Sequence, residues 1–412
     1  MSNLKKYRFC DLYTMSSGIS STKDQAGHGS PFLSFSTVFN NYFVPDELTD
    51  LMDTSDKEKE TYSIKNGDIF LTRTSEVVDE LAMSCVAVKD YPSASYSGFL
   101  KRLRPTQTDI TYSKFMAFYL RSPMFRKTMT NNAVMTLRAS LNEAIFSYLD
   151  LLLPDYDDQV KVGDLLYLLN EKIELNNRIN AELEVMAKTL YDYWFVQFEF
   201  PDANGKPYKT SGGKMVYNPT LKREIPEGWS DKTLSQIANI TMGQSPEGSS
   251  YNQEGVGTIF YQGSTDFEWL FPAPRQYTTA PSRMAKKGDI LLSVRAPVGD
   301  MNIANTDCCI GRGLAALNSK IGSDGFLFYV MKYFKQIFDR RNSEGTTFGS
   351  ITKNDLHSLT LVYPTADLLK KYDDVVTSYN KMIFERSLEN RELISLRDWL
   401  LPMLMNGQVT VK

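Results

Sequence analysis

The sequence predicts an α+β protein in which two globular domains are joined by two long helices that form an antiparallel coiled-coil spacer, with a pseudo-two-fold internal repeat. Three observations predict this fold. The chain of 412 residues is too long for one ordinary core. Its second half repeats the plan of its first half. Each half also ends in a long proline-free stretch with a heptad pattern of apolar residues.

The internal repeat is clearest around the two heptad stretches. Residues 140–154 match residues 350–364 at an offset of 210, and the same offset continues through the heptads. Earlier in the halves, KNGDIFLT at 65–72 matches KKGDILLS at 286–293 with a wider offset. The globular parts therefore differ in loop length, whereas the C-terminal part of each half has a fixed length.

The predicted globular domains are residues 1–154 and 229–364. Each has short strand-like runs, such as DIFLT and DILLSV, turns rich in Gly, Pro, Ser and Thr, and some helical stretches. Gly18 in MSSGIS corresponds to Gly243 in TMGQSP, and both glycines are expected to serve backbone geometry. The segment 201–228 between the halves is rich in Pro, Gly and Lys, which indicates a surface linker.

The predicted spacer helices are residues 155–200 and 365–412, each roughly 60 Å long at about 1.5 Å per residue. Only a long partner could cover their seams, and the obvious partner is the other repeat, packed antiparallel. The polar seam residues Lys172, Asn176, Arg386 and Glu389 would then meet near the middle and fix the register. A frayed mid-helix with solvated charges is the alternative. The predicted a row is Val162, Leu169, Asn176, Leu183 and Leu190 with Tyr372, Tyr379, Arg386, Leu393 and Leu400, and the predicted d row is Leu165, Lys172, Ile179, Met186 and Tyr193 with Val375, Met382, Glu389, Leu396 and Met403.

Composition argues against several classes of protein. There is no apolar stretch of about eighteen residues, and the N-terminus lacks the apolar core of a signal peptide, so we expect a cytoplasmic protein without a membrane span. The four cysteines have neither disulfide nor zinc-site spacing, and there are only two histidines, His28 and His357. No phosphate-binding loop, dinucleotide fingerprint or amino-methyltransferase signature occurs. We therefore expect no catalytic centre and no metal site.

One string could still indicate an enzyme. Asp157, Asp158 and Lys161, together with Gln159, loosely imitate the carboxylates and lysine that hold a divalent ion in many restriction nucleases. They directly follow Pro154, however, at the start of a long helical pattern, where acidic residues interact favourably with the orphan N–H groups of the first turn. We favour the helix-start interpretation and keep a metal-dependent DNA nuclease as an alternative.

Several strings in a fixed order resemble a known family. They are SGGKMVYNPTLKREIPEGW in the linker, TMGQSP shortly after it, KKGDILLSVRAPVGD, TFGSIT at 347–352, and ELEVMAKTLYDYWF in the duplicated helix. In this order, on top of the internal repeat, they resemble the specificity subunit of type I restriction-modification systems over the whole chain. The first half departs from the pattern, because SSGISS replaces the GxxP string and LTRTSEVVDE lacks the APVG context.

The resemblance implies a DNA-binding subunit without chemistry of its own. In this family each α+β domain is a target recognition domain that reads one half of a bipartite DNA sequence, and the helices hold the two domains at a fixed spacing. The helices also dock modification subunits, here expected to be two, which methylate adenine with S-adenosylmethionine. Restriction subunits add ATP-driven translocation and cleavage with Mg²⁺. The resemblance places these cofactors on the partner subunits; a scaffold that does not bind DNA is the other alternative.

The distribution of charge limits where DNA could bind. The net charge of −3 is unusual for a DNA-binding protein, but residues 155–200 alone carry 4 basic and 10 acidic groups. Residues 1–154 carry 17 of each, and residues 229–364 carry 13 basic and 12 acidic groups. A DNA surface on either domain would therefore have to be a local basic face, and the chain alone is expected to bind DNA weakly.

Candidate base contacts are the polar side chains of predicted loops, because Arg, Lys, Asn, Gln, Ser and Thr read base edges in the major groove. Each of them alone could equally be a turn or surface residue. In the first domain the candidates are Ser16, Ser17, Ser20, Lys23, Arg73, Thr74 and Arg138. In the second they are Gln244, Ser245, Ser249, Tyr251, Asn252, Tyr261, Gln262, Arg275, Arg295, Arg312 and Thr346.

Overall fold

The computed structural model describes residues 4–75, 80–132, 134–135, 139–140, 143–343 and 350–411. The chain divides into two compact units: the first contains Met1–Leu175 and Asn390–Lys412, and the second contains Asn176–Glu389. Each unit therefore combines one globular part with a portion of both long helices. Among the described helices, none is long and apolar enough to cross a bilayer.

Helices and strands are interspersed along both halves. The first half contains β1 (Lys5–Arg8), α1 (Phe9–Leu12), β2 (Tyr13–Ser17), β3 (Ala26–Leu33), α2 (Phe35–Asn40), β4 (Leu51–Met52), α3 (Asp56–Thr61), β5 (Ile69–Thr72), β6 (Thr74–Ser75), β7 (Ser84–Val86), β8 (Ser95–Tyr96), β9 (Leu100–Pro105), α4 (Ser113–Tyr119), α5 (Pro123–Asn132), β10 (Val134–Met135), β11 (Ala139–Ser140), α6 (Glu143–Tyr148), β12 (Asp150–Leu153) and α7 (Tyr156–Tyr191). The second contains β13 (Met215–Asn218), β14 (Arg223–Pro226), β15 (Ser230–Thr233), α8 (Leu234–Ile237), β16 (Ala238–Met242), β17 (Tyr251–Asn252), β18 (Thr258–Tyr261), β19 (Tyr277–Thr278), β20 (Met284–Ala285), β21 (Ile290–Ser293), β22 (Met301–Ile303), β23 (Cys308–Ile310), β24 (Leu314–Ser319), α9 (Asp324–Ser343), α10 (Lys353–Ser358), β25 (Thr360–Tyr363) and α11 (Ala366–Met405).

The first unit is built on an antiparallel sheet in the order β2-β9-β5-β7. The run DIFLT forms its strand β5, whose side chains alternate between two cores. Ile69 and Leu71 lie in the cluster that includes α4, and Phe70 lies in a second cluster on the other face. Because both faces of this strand are covered, its sequence is a continuous apolar run rather than an alternating one.

The second unit repeats this arrangement with different residues. Its sheet has the order β16-β24-β21-β22, and the central strand β21 is formed by the run ILLS. Ile290 and Leu292 enter one core and Leu291 enters the other. Strand pairs β1-β12 and β15-β25 are also equivalent, as are the parallel pairs β3-β8 and β18-β23. The predicted α+β class and internal repeat are confirmed.

Residues 201–228 contain local structure of their own. Strands β13 and β14 form an antiparallel hairpin, with Met215 opposite Pro226 and Asn218 opposite Arg223. After the hairpin, the ring of Trp229 stacks on Phe200 and packs edge-on against Phe198. The aromatic residues that end the first heptad stretch thus continue into the core of the second unit.

The two long helices begin and end where the sequence provides signals. Helix α7 has 36 residues with Asp157 and Asp158 in its first turn, and a turn of π-helix, Asp192–Val196, follows it. Helix α11 has 40 residues and ends before Gly407, which has a φ of 71°. These lengths correspond to about 54 and 60 Å at 1.5 Å per residue. Acidic residues at the N-terminus and glycine after the C-terminus are typical helix boundaries.

The two helices pack antiparallel, as predicted. In the second unit, the Asn176 side-chain amide donates to Glu389 Oε2 at 2.7 Å, and the Tyr372 hydroxyl donates to the Ala187 carbonyl at 3.2 Å. Residue numbers therefore rise along α7 as they fall along α11. In the first unit, the Asn390 amide donates to the Ile173 carbonyl at 3.4 Å in the same sense.

One of the two predicted seam rows is wrong for helix α7. The row that contains Val162 and Asn176 does face the partner helix, but the α7 row that contains Lys172 lies outside the seam, where Lys172, Met186 and Tyr193 are exposed. Glu389, which the prediction placed in the matching row of α11, does reach the seam, because it accepts the hydrogen bond from Asn176. The residues that replace the predicted row are Gln159, Leu166, Ile173, Asn180 and Ala187 on α7, and Leu369, Val376, Ile383, Asn390, Arg397 and Leu404 on α11. A helix of 3.6 residues per turn places both i+3 and i−3 beside a given row. The sequence pattern favoured the i+3 row of α7, which is the more apolar of the two. The structure instead buries the i−3 row, which is the more polar of the two and includes Gln159 and Asn180.

Candidate nucleic-acid interface

Three loops of the second unit converge into a cluster of polar side chains, here called the second loop cluster: residues 243–246, 262–263 and 311–313. The Gln244 N–H donates to the Ile310 carbonyl at 3.0 Å, and the Gly311 N–H donates to the Tyr261 carbonyl at 2.8 Å. The Ser245 hydroxyl donates to Gln262 Oε1 at 3.0 Å and accepts the Arg312 N–H at 3.3 Å. Candidates from three distant parts of the sequence are thus brought together.

Glycine makes this close approach of the loops possible. A Cβ atom on Gly243 would lie 2.1 Å from the Gly311 carbonyl oxygen, and one on Gly313 would lie 2.7 Å from the Gln262 carbonyl oxygen. Real Cβ atoms do not come this close to backbone. Glycine is needed at Gly243 because of space, whereas many glycines are needed for an unusual φ. The TMGQSP string therefore encodes the meeting of two loops.

The second loop cluster offers hydrogen-bonding groups to solvent. Gln244, Gln262 and Arg312 are exposed. Arg295 is also exposed and lies close to the cluster, because the N–H of the preceding Val294 donates to the Gly313 carbonyl at 2.9 Å. Gln and Arg are side chains that can make two hydrogen bonds to one base edge, Gln to adenine and Arg to guanine. The cluster is therefore chemically suited to reading base edges.

Arg275 is held differently from Arg312 of the cluster and from the neighbouring Arg295. Its Nε lies 2.8 Å from Asp266 Oδ1, and its guanidinium also donates to the Thr265 carbonyl. Burial raises the pKa of the Asp266 carboxyl above its usual value, although the charge of Arg275 and the hydrogen bond to it oppose this. Arg275 thus stabilises its own loop, and a base contact would compete with this ion pair.

The first unit has an equivalent cluster, here called the first loop cluster: residues 16–20, 73 and 97–99 with Lys101. The Ile19 N–H donates to the Tyr96 carbonyl at 2.9 Å, and the Gly98 N–H donates to the Ile19 carbonyl at 2.7 Å. A Cβ atom on Gly18 would lie 2.3 Å from the Ser97 carbonyl oxygen. Gly18 therefore occupies the place that Gly243 has in the second unit.

Polar contacts in the first loop cluster centre on two serines. The Ser16 and Tyr96 hydroxyls are 2.8 Å apart, and the Lys101 Nζ donates to Ser17 Oγ at 2.7 Å. Burial raises the pKa of the Tyr96 hydroxyl, so this phenol stays neutral and available for hydrogen bonding at physiological pH. The cluster is joined to Arg73, whose N–H donates to the Phe99 carbonyl at 2.9 Å.

The remaining candidates lie outside the two clusters or face inward. Lys23 and Ser249 are exposed, as is Ser20 at the edge of the first loop cluster, and Thr74 lies on β6. Arg138 and Thr346 lie outside the described residues. Tyr251 and Asn252 hydrogen-bond within their own loop, to the carbonyls of Pro246 and Val256. The expectation that the Tyr261 side chain contacts DNA is corrected, because Tyr261 is 1% exposed and its hydroxyl donates to the Pro272 carbonyl at 3.2 Å.

The clusters also contain residues that the sequence alone did not indicate. Phe99 and Lys101 belong to the first cluster, and Ser282 and Arg283 border the second. The Ser282 hydroxyl donates to the Gln244 carbonyl, and the Arg283 carbonyl accepts the Ile310 N–H at 2.9 Å. The sequence did not indicate Phe99, because an apolar side chain has no hydrogen-bonding group for base readout. The internal repeat does indicate this segment, because SGFL at 97–100 corresponds to GRGL at 311–314, which contains the candidate Arg312.

The acidic string at the start of α7 is occupied by structural roles. Asp157 and Asp158 lie in the first helical turn. Gln159 is buried, where its amide donates to the carbonyls of Ile110 and Pro154 and its oxygen accepts the Tyr112 N–H. Across the part of the chain that the structure describes, no group of three or more His, Cys, Asp or Glu residues is placed to hold a metal ion.

The chain is similar to specificity proteins of type I restriction systems. A family profile described as "Type I restriction modification DNA specificity domain" matches residues 2–185 and 226–383, which correspond to the two repeats. The chain is 28% identical over 409 residues to a Methanocaldococcus jannaschii protein assigned as the MjaX type I restriction enzyme specificity subunit, covering 97% of the chain and 92% of that protein. It is 24% identical over 491 residues to the HindI type I restriction enzyme specificity subunit of Haemophilus influenzae, covering 99% and 100%.

A solved structure has a similar fold. The crystal structure of the S subunit of a type I restriction-modification system from M. genitalium aligns with a TM-score of 0.61 at 15% identity, over 98% of this chain and 96% of that one. At this identity the likeness concerns the fold alone. It agrees with the α+β units and paired helices described above.

Proposed function

The chain belongs to the type I restriction-modification DNA specificity family, and from this premise we propose that it is the DNA-recognition subunit of a type I restriction-modification complex. Each unit reads one half of a bipartite target with its loop cluster, and the paired helices set the gap between the halves. The observation that best supports this is the duplication of the cluster, with Gly18 and Gly243 in equivalent places. Two equivalent polar surfaces in one chain suit a target with two separate half-sites.

In this proposal the chain contributes recognition and its partners contribute chemistry. The modification subunits bind S-adenosylmethionine and methylate adenine, and the restriction subunits use ATP and Mg²⁺ to cleave DNA. The subunit then acts in the cytoplasm, where its DNA target is. The nearly neutral net charge of each globular part suits this role. Partner subunits can supply most of the contacts to phosphate while the loop clusters supply specificity.

A map of methylated adenines across the genome tests the function. We compare cells with the gene, cells without it, and cells complemented by the intact gene. Loss of one gapped, two-part motif on deletion, and its return on complementation, is the expected result. An unchanged map in cells that express active modification subunits would overturn the proposal.

We also propose that two modification subunits bind, one through each repeat. Met186 on α7 and Leu396 on α11 occupy the same place in the repeat, and both are apolar and exposed, by 51% and 42%. Exposed apolar side chains at duplicated positions suit the same partner surface binding twice.

Charged substitutions at these positions should remove one modification subunit each. Met186→Glu or Leu396→Glu is expected to give a complex with a single modification subunit, because a carboxylate would be desolvated in an apolar contact. Native mass spectrometry of the co-expressed complex measures the stoichiometry. Leu168→Glu is the matched control, since Leu168 is 67% exposed on α7 but its repeat counterpart is the polar Ser378. Two bound subunits in both test variants would contradict the assignment.

A further inference from the structure

Phe99 presents an aromatic ring to solvent from the first loop cluster. The residue is 64% exposed. Its backbone is nevertheless held on both sides, because its N–H donates to Ser97 Oγ at 3.2 Å and its carbonyl accepts the Arg73 N–H at 2.9 Å. The preceding Gly98 has no room for a side chain, since a Cβ atom there would lie 2.7 Å from the Ile19 carbonyl oxygen. The backbone of Phe99 is thus held in place, while its apolar side chain is largely exposed.

The surroundings of Phe99 are those of a polar recognition surface. Arg73 is exposed beside it, and the buried Lys101, two residues further on, directs its amine to Ser17 Oγ. The hydroxyls of Ser16 and Tyr96 complete the cluster. Single exposed apolar residues are common on proteins. This one differs because its backbone is hydrogen-bonded into the same loops that carry the candidate base contacts.

The second unit provides an internal comparison. The position of Phe99 corresponds to Gly313, because the Val294 N–H donates to the Gly313 carbonyl as the Arg73 N–H donates to that of Phe99. At the neighbouring position, Gly98 corresponds to the exposed Arg312. The same turn therefore presents an apolar ring in one unit and a guanidinium in the other, which indicates that the two clusters recognise different base chemistry.

We propose that Phe99 is a specificity-determining residue that contacts the C5-methyl group of a thymine in the first half-site. The ring has no hydrogen-bond donor or acceptor, and the thymine methyl is the apolar group that a base pair displays in the major groove. The inference rests on the proposed DNA-recognition function and deepens it. It predicts that the first unit requires an A·T pair at one position of its half-site.

Replacing thymine by uracil tests this contact, because it removes only the methyl group. The complex with modification subunits is bound to duplexes that carry the mapped target, with each thymine of the first half-site changed to uracil in turn. We expect the wild-type complex to lose about fourfold in affinity at one position, which corresponds to the ~0.8 kcal/mol of one buried methyl group. The Phe99→Ala complex should bind the thymine duplex about fourfold more weakly and show no further loss with uracil.

Two variants control for indirect effects. Phe99→Leu keeps an apolar side chain and should retain sensitivity to uracil at the same position. Tyr148→Ala removes another exposed aromatic ring of the first unit, 53% exposed and outside the cluster, and should bind like wild type. If wild type and Phe99→Ala respond equally to uracil, the thymine contact is wrong while the DNA-recognition function stands. If the wild-type complex does not prefer its target to a scrambled duplex, the proposed function itself fails.

Discussion

A heptad added to both long helices is expected to lengthen the gap between the two half-sites by about three base pairs, without changing either half-site. The duplicated segments would be 176–182 in α7 and 383–389 in α11, which face each other around the Asn176–Glu389 hydrogen bond. Seven residues add ~10.5 Å to each helix, and a base pair rises ~3.4 Å along DNA. The heptad phase is kept, so the buried rows stay in register.

The map of methylated adenines measures this gap directly. A heptad duplicated in α7 alone is the control, because it leaves about two unpaired helical turns opposite an unchanged α11 and should abolish methylation. If the double insertion keeps the original gap, the helices are not the element that sets the spacing. If it gives a new gap together with new half-site sequences, recognition and spacing are not separable as we propose.

The polar centre of the seam explains why such an insertion should remain in register. Asn176 donates to Glu389, and the Asn180 amide donates to Ser387 Oγ at 3.3 Å. A shift of the helices by one heptad would separate these partners and leave buried polar groups without them, which costs about 1–3 kcal/mol per group. Arg386, also predicted at this point, donates to the Met382 carbonyl of its own helix at 3.3 Å.

The fold could be predicted because its signals are local or repeated. The match of 140–154 to 350–364 and the proline-free heptads are visible without any tertiary information. The second seam row could not be predicted, because its members include Gln159 and Asn180, which are polar. Gln159 is buried only because backbone groups at Ile110 and Tyr112 meet its side chain. A hydrogen-bond partner that is distant in the sequence thus decides whether a polar side chain is buried. Such a partner leaves no periodic signal in the sequence of the helix.

The candidate site could be predicted only in part from the sequence. Gln244, Gln262 and Arg312 could each be identified from the sequence as polar loop residues. The sequence did not show that the three loops that carry them meet. Tyr261 was misjudged because its position at the end of β18 turns its side chain inward, where it meets Pro272. Phe99 was missed for the opposite reason, since an apolar residue in a strand-rich domain is expected inside. In each case the deciding contact joins loops that are distant in the sequence.

Gly243→Ala is expected to abolish discrimination at the second half-site and leave the first half-site intact. The new Cβ would lie 2.1 Å from the Gly311 carbonyl oxygen, so one loop must move away from the other. Gln244 and Arg312 sit on these two loops, and the displacement would misplace both side chains. Losing two base contacts at ~1.5 kcal/mol each should weaken preference for the correct second half-site about a hundredfold.

Binding of the complex to duplexes with one half-site scrambled measures the two preferences separately. Gly263→Ala is the matched control, because Gly263 lies in the same cluster with an extended backbone and no atom within 4 Å of the added Cβ. Gly18→Ala is the reciprocal variant: its Cβ would lie 2.3 Å from the Ser97 carbonyl oxygen, and it should remove the first preference while keeping the second. If either variant weakens both half-sites equally while its melting temperature is unchanged, the clusters do not read the half-sites independently. Opposite losses in the two variants would assign one half-site to each unit.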